Sequence, residues 1–171
     1  MKKMLLVAAM AVASLTANAQ VWIGGGLGFN YEEPKVGDAS TTFNIAPQVG
    51  YNLDENLSLG IELGLKLANK AAGDYTDMTV APFARYTYFK SGIASFFVDG
   101  GFGIGSHKPS GEDAETVWHV GLRPGVAINL SDNVSIISQL GYLGYQHRDG
   151  LNRFALNANE NALTFGVYYT F

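Results

Sequence analysis

Residues 57–67 read LSLGIELGLKL, with Leu or Ile at every odd position and Ser, Gly, Glu, Gly and Lys between them. Side chains alternate across a strand, so a strict two-residue period predicts a β-ribbon with two unlike faces. Seven further segments share the pattern: 21–29, 43–53, 78–89, 96–105, 118–130, 134–142 and 162–171. Short polar connections at Asp54–Asn56, Lys90 to about Ala94, and Ser131–Asn133 carry turn chemistry. Longer polar stretches near 31–42, 68–77, 106–117 and 145–161 lie between them and read as loops. Short turns at one end and long loops at the other describe an up-and-down antiparallel meander, with both termini at the short-turn end.

The two faces decide the solvent. The apolar face carries Val21, Ile23, Leu27 and Phe29, and its counterparts on the other strands, Tyr142 included, without a single Asp, Glu, Lys, Arg or His. The opposite face carries Glu62, Lys66, Arg85, Asp99, His119 and Arg123 among thirteen glycines, such as Gly24, Gly60 and Gly101. A water-facing surface holds about 25–35% charged residues, far more than this face does. Small residues alternating with larger ones suit the inside of a narrow barrel. The apolar face then meets hydrocarbon, where one Lys or Arg at mid-membrane would cost about 2–4 kcal/mol. Closure leaves no unpaired edge. Aromatics mark both ends of that face: Phe29, Phe43 and Trp118 on the loop side, and Tyr51, Tyr88, Phe96, Tyr169 and Phe171 on the turn side. They predict two interfacial girdles. The fold class expected is all-β: an eight-stranded antiparallel up-and-down transmembrane β-barrel, preceded by a cleavable signal peptide.

The leader is MKKMLLVAAMAVASLTANAQ. Two lysines, an apolar run too short to span a bilayer, and Ala17-Asn18-Ala19 as a small-x-small cleavage site predict export. The domains expected are a signal peptide over 1–19 and a barrel over 20–171. Without the two leader lysines the chain holds 9 basic and 15 acidic residues, which argues against a nucleic-acid partner. The absence of cysteine excludes disulfides and thiolate metal sites.

A weak repeat with an offset of 77 residues relates Pro47, Asn52, Asn56 and Ser58 to Pro124, Asn129, Asn133 and Ser135. The repeating unit is a strand, a tight turn and a strand, as a barrel built from hairpins requires. Proline cannot donate to a ladder, so bulges are expected at Pro47, Pro82 and Pro124.

Inside the barrel, Glu62, Arg85, Asp99 and Arg123 fall at similar heights on neighbouring strands, with Lys66 higher up. They predict an interior charge network, which either fills the barrel as a plug or lines a narrow pore. Eight strands enclose little more than side chains, which favours the plug. Ser106, His107, Ser110 and Glu112 cluster in GSHKPSGEDAE, but proximity in a loop does not supply nucleophile–base geometry. His119 faces inward and His147 falls in the last loop, so the histidines lack metal-ligand spacing. No catalytic residue, cofactor or metal ion is expected. The four loops hold ten acidic and five basic residues, and loops on a rigid scaffold commonly carry binding functions, which leaves an extracellular ligand or adhesion open.

Thr164, Gly166, Tyr169 and Phe171 resemble the C-terminal assembly signal of bacterial outer-membrane proteins: polar, x, Gly, x, x, aromatic, x, aromatic. The YNL–DEN–LSLG and APFARYTYF…FFVDGGFGIG stretches are similar to the small eight-stranded outer-membrane barrels, the OmpA transmembrane-domain and OmpX group or wider porin family, Bacteroidota-type. The resemblance implies a monomeric barrel in the outer membrane of a Gram-negative cell, with both termini periplasmic. It also implies contact with outer-membrane lipids and recognition by the barrel-assembly machinery. The peptidoglycan-binding half of OmpA has no counterpart in residues 20–171. For function it implies a structural or surface-interaction role, a narrow porin-like channel, a loop-mediated adhesin, or a lipid A-modifying enzyme.

Overall fold

A computed structural model describes residues 21–32, 40–69, 73–111, 113–148, 151–157 and 163–171. The expected cleavage residues Ala17 and Ala19, and Glu112, lie outside the described residues, as does the side chain of Phe29. Ten strand segments are described: β1 (Val21–Glu32), β2 (Ser40–Asn52), β3 (Leu57–Asn69), β4 (Tyr75–Ser91), β5 (Ala94–Pro109), β6 (Glu115–Asn129), β7 (Val134–Leu140), β8 (Tyr142–Arg148), β9 (Leu151–Asn157) and β10 (Leu163–Thr170). All pairings are antiparallel, each of β1 to β6 with the next, and β10 returns to β1 from Trp22↔Thr170 to Leu27↔Phe165. The ladder therefore closes. β7 and β8 both pair with β6 and form the seventh stave, while β10 pairs with β7 and β9 with β8 to form the eighth. The result is an eight-stranded closed antiparallel barrel.

The outer wall is apolar. Leu59, Ile61, Leu63, Met78, Val80, Phe102, Ile104, Val120 and Leu122 all stand exposed on it. Val21, at the bottom of the same face, is the exception and is buried. Trp118 stacks among Phe102, Tyr145 and His147 on the outer wall, with centroids 5.4–6.5 Å apart.

Several expectations are corrected. Two of the stretches read as loops are largely strand: in 106–117 β5 runs to Pro109 and β6 starts at Glu115, and 145–161 contains most of the β8–β9 hairpin. Backbone pairing, once registered, continues past the apolar zone because it does not depend on side-chain polarity. At Pro47 and Pro82 there is no bulge. Each keeps its ladder to the preceding strand, and pairing to the following strand lapses for two residues without changing register. The missing N–H removes a bond but inserts no residue. The register shifts occur elsewhere. One lies between Thr87 and Phe89, so that Tyr88 and Phe89 are both exposed. The other lies opposite Pro124, where Leu140, Gly141 and Tyr142 face only Arg123 and Pro124. Gly141 takes φ +97, a left-handed conformation suited to glycine. One extra residue exchanges the two faces of the strand. Tyr142, expected on the lipid face, therefore turns inward, its ring edge-on to His119 at 6.2 Å.

The 77-residue repeat has a physical counterpart. Asp54 Oδ1 accepts from the backbone N–H of Asn56 and Leu57 at 2.7 and 2.8 Å, and Ser131 Oγ accepts from those of Asn133 and Val134 at 3.4 and 3.1 Å. Ser58 donates to Asn52 at 2.7 Å and Ser135 to Asn129 at 2.8 Å, tying each hairpin one residue pair above its turn.

Candidate functional site

Among the described residues, the polar chemistry of the membrane-level barrel is concentrated inside it. Arg85 on β4 and Asp99 on β5 are direct cross-strand partners. Arg85 Nε donates to Asp99 Oδ1 at 2.7 Å and Nη2 to Oδ2 at 2.9 Å, a two-pronged pair whose members are 7% and 1% exposed. That geometry suits a planar guanidinium and would not suit a lysine. Gln139 of β7 adds a bond to Asp99 Oδ2 at 2.7 Å and accepts one from Thr164 of β10 at 3.2 Å. Arg85 also donates to the Tyr168 hydroxyl at 3.4 Å. Tyr168 donates to Gln48 on β2, Gln48 donates to Glu62 on β3, and Arg123 Nη1 on β6 donates to both Glu62 oxygens at 3.0 and 3.1 Å. One hydrogen-bonded chain thus links seven of the eight staves. No described buried side-chain nitrogen or oxygen lacks a partner.

The remaining stave contributes Trp22, stacked on Tyr168 at 5.0 Å and 6°. Trp22, Phe83, Phe97 and Tyr168 surround the Arg85 guanidinium, whose carbon lies 4.1 Å from the Phe97 ring centre and 5.1–5.6 Å from the others. The cation is thereby offered π-faces as well as a carboxylate. The interior glycines make this cage possible. A Cβ on Gly50 would stand 2.2 Å from the Trp22 ring, on Gly24 2.2 Å from Tyr168, on Gly60 2.6 Å from Phe83 and on Gly125 2.4 Å from Phe97. Each ring lies across the bare backbone of a neighbouring strand. Above the cage, a cavity of about 70 Å³ lies beside Asn44, Glu62, Arg123 and Gln139, room for a few waters at most.

The structure therefore brings Glu62, Arg85, Asp99 and Arg123 into one network and leaves Lys66 out of it. Lys66 lies higher, with Nζ 5.6 Å from the Tyr75 ring centre. Gln48, Gln139 and Tyr168 complete the network without carrying a formal charge, so a reading of charged positions does not single them out. Their inward positions in the alternation were the available signal, together with the rings paired to glycines. Of the C-terminal pattern, Thr164 points into the network, Gly166 sits against the Gly25 carbonyl, and Tyr169 and Phe171 meet edge to face at 5.1 Å on the outside.

The Ser–His cluster is not assembled. His107 is buried and its Nδ1 bonds Asp77, whereas Ser106, the adjacent strand residue, projects to the opposite face. Ser110 donates its backbone N–H to Asp74 at 2.8 Å. No group of three His, Asp or Glu residues suited to a metal is found among the described residues.

A closed barrel with an apolar outer wall and a polar, ring-packed interior defines a small transmembrane β-barrel. The chain belongs to the outer membrane protein beta-barrel domain family, which it matches over residues 4–171. Comparison with curated proteins gives no match. Among solved structures, Neisserial surface protein A (NspA) is similar in fold, with a TM-score of 0.62 at 16% identity over 88% of this chain and 97% of that one. The Yersinia pestis outer membrane protein Ail aligns with a TM-score of 0.47 at 15% identity over 89% of this chain and 99% of that one. The protein is an integral outer-membrane barrel of a Gram-negative envelope.

Proposed function

We propose that this barrel is a non-catalytic, closed membrane scaffold whose interior is a structural plug. It anchors extended strand ends at the cell surface and contributes to envelope integrity. The observation that carries this reading is the unbroken chain from Arg123 through Glu62, Gln48, Tyr168, Arg85 and Asp99 to Gln139 and Thr164, with Trp22, Phe83 and Phe97 filling the space between. A solute crossing this layer would have to break paired buried charges. The expected result in planar bilayers is no steady conductance, and stable nanosiemens channels from purified monomer would refute the plug.

The same reading places residues 1–19 as an export signal and both termini in the periplasm, beside the short turns. It assigns Thr164, Gly166, Tyr169 and Phe171 to recognition by the barrel-assembly machinery. A surface-binding role is the second reading. It is favoured by the β8–β9 hairpin, which carries Leu151, Phe154 and Leu156 at 72–74% exposure. Deleting residues 149–157 and measuring adhesion to host surfaces separates the two readings.

A further inference from the structure

The outer wall has a hollow on its short-turn half. Leu59, Ala84, Gly100 and Leu122 are successive cross-strand neighbours on β3, β4, β5 and β6. They share the outward face, because Phe83, Arg85 and Asp99 take the buried inward positions beside them. A methyl group and a hydrogen thus stand between two leucines. Ile61, Pro82 and Phe102 bound the space on the loop side, and the hollow measures about 630 Å³.

From the hollow the β4–β5 ladder runs towards the turns through Tyr86↔Val98 and the register shift between Thr87 and Phe89. Tyr86, Tyr88 and Phe89 stand exposed along it, and the next residue is Lys90. The Thr87 N–H donates to the Asn56 carbonyl at 2.8 Å, which fixes the β2–β3 turn against β4. Lys90 Nζ donates to the Glu55 backbone carbonyl at 2.5 Å, which sets the ammonium beside the exposed Asp54–Glu55 pair. Lys90 has no ion pair among the described residues. Ala84 and Lys90 are six residues apart, about 20 Å along a strand and about 15 Å of depth at a tilt of about 40°. The apolar band of such a barrel is about 25 Å tall, so the hollow lies about one leaflet's depth from the charged turn.

From this we infer that the outer wall of β3–β5 holds one phospholipid with a phosphoethanolamine headgroup at the short-turn end. The inference rests on the reading that puts the short turns in the periplasm, beside the phospholipid leaflet of the outer membrane. An acyl chain runs over Tyr86 and ends in the hollow at Ala84 and Gly100. The phosphate meets the Lys90 ammonium, and the ethanolamine ammonium meets the Asp54 and Glu55 carboxylates. A phosphoglycerol headgroup would satisfy Lys90 but would set a further negative charge against the two carboxylates. The pairing of opposite charges selects a zwitterion.

The test is native mass spectrometry of the refolded protein released from micelles holding equal amounts of phosphoethanolamine and phosphoglycerol lipids with identical acyl chains. The wild-type protein is expected to retain the phosphoethanolamine lipid several-fold over the phosphoglycerol lipid. Lys90→Ala should reduce retention of both. Ala84→Phe, which fills the hollow from the lipid side, should do the same. Asp54→Asn combined with Glu55→Gln keeps the acceptor oxygen of the turn and should abolish the preference. Equal retention by the wild type, a preference that survives the paired substitution, or retention unchanged by Ala84→Phe overturns the site. Cleavage after Lys90 by trypsin added to intact cells would instead overturn the orientation on which the leaflet rests. Loss of the heat-modifiable gel shift in the wild-type protein would overturn the barrel reading beneath both.

Discussion

Arg85 is the residue on which the interior converges. Replacing it with Met leaves Asp99 buried and uncompensated, for which the expected loss is about 3–5 kcal/mol. Urea unfolding in lipid, followed by tryptophan fluorescence, measures it directly, since Trp22 lies against the guanidinium. Arg85→Lys should also lose stability, because an ammonium cannot reproduce the two parallel bonds. Gly24→Ala tests the ring-over-glycine packing. Its Cβ would lie 2.7 Å from the Val167 carbonyl as well as against Tyr168, and the expected penalty is about 1–3 kcal/mol in the same assay. Of these residues, the charged ones were legible as inward positions in the alternation. The cage around Arg85 was not, because a strand sequence shows which face a ring occupies but not which neighbouring strand offers the gap it fills.

Hairpins and strand breaks make up the next scale. Asp54 caps its turn through the N–H groups of Asn56 and Leu57, and these bonds hold its carboxyl below the ordinary value of 3.8. A carboxyl depressed in the folded state stabilises above its unfolded value and loses that contribution as pH falls through the folded one. The stability gap between wild type and Asp54→Ala should therefore be full near neutral pH and vanish under strongly acid conditions, as pH-dependent unfolding would show. At Gly141, deleting the single residue should remove the register shift and leave Tyr142 inward, as the one residue between the outward Leu140 and Leu143. A cysteine at position 142 is expected to resist a lipid-phase thiol reagent with and without the deletion, whereas a cysteine at position 143 should react with it in both. The alternation of 134–142 pointed to a regular strand, and a glycine there gave no sign of its φ. Only the pairing of β7 and β8 with one continuous β6 requires the extra residue.

At the scale of the whole barrel, the plug is a property of the ring of staves rather than of any one strand. The triple substitution Trp22→Ala, Phe83→Ala and Tyr168→Ala removes three of the rings around Arg85 and opens a lumen beside it. Small discrete conductances should appear in planar bilayers where the wild-type barrel shows none. An unaltered silent trace from a folded triple variant would place the barrier to ions elsewhere.

The period-two pattern and the charge-free face were enough to determine the architecture. A face that excludes every Asp, Glu, Lys, Arg and His over eight segments has hydrocarbon as its consistent solvent, and hydrocarbon demands a closed ladder. Tertiary structure alone decided what fills the barrel: which guanidinium meets which carboxylate, which ring crosses which glycine, and where a strand gains a residue. Those contacts join positions as far apart as Gln48 and Tyr168. They depend on register and curvature around the closed sheet, which local alternation does not encode.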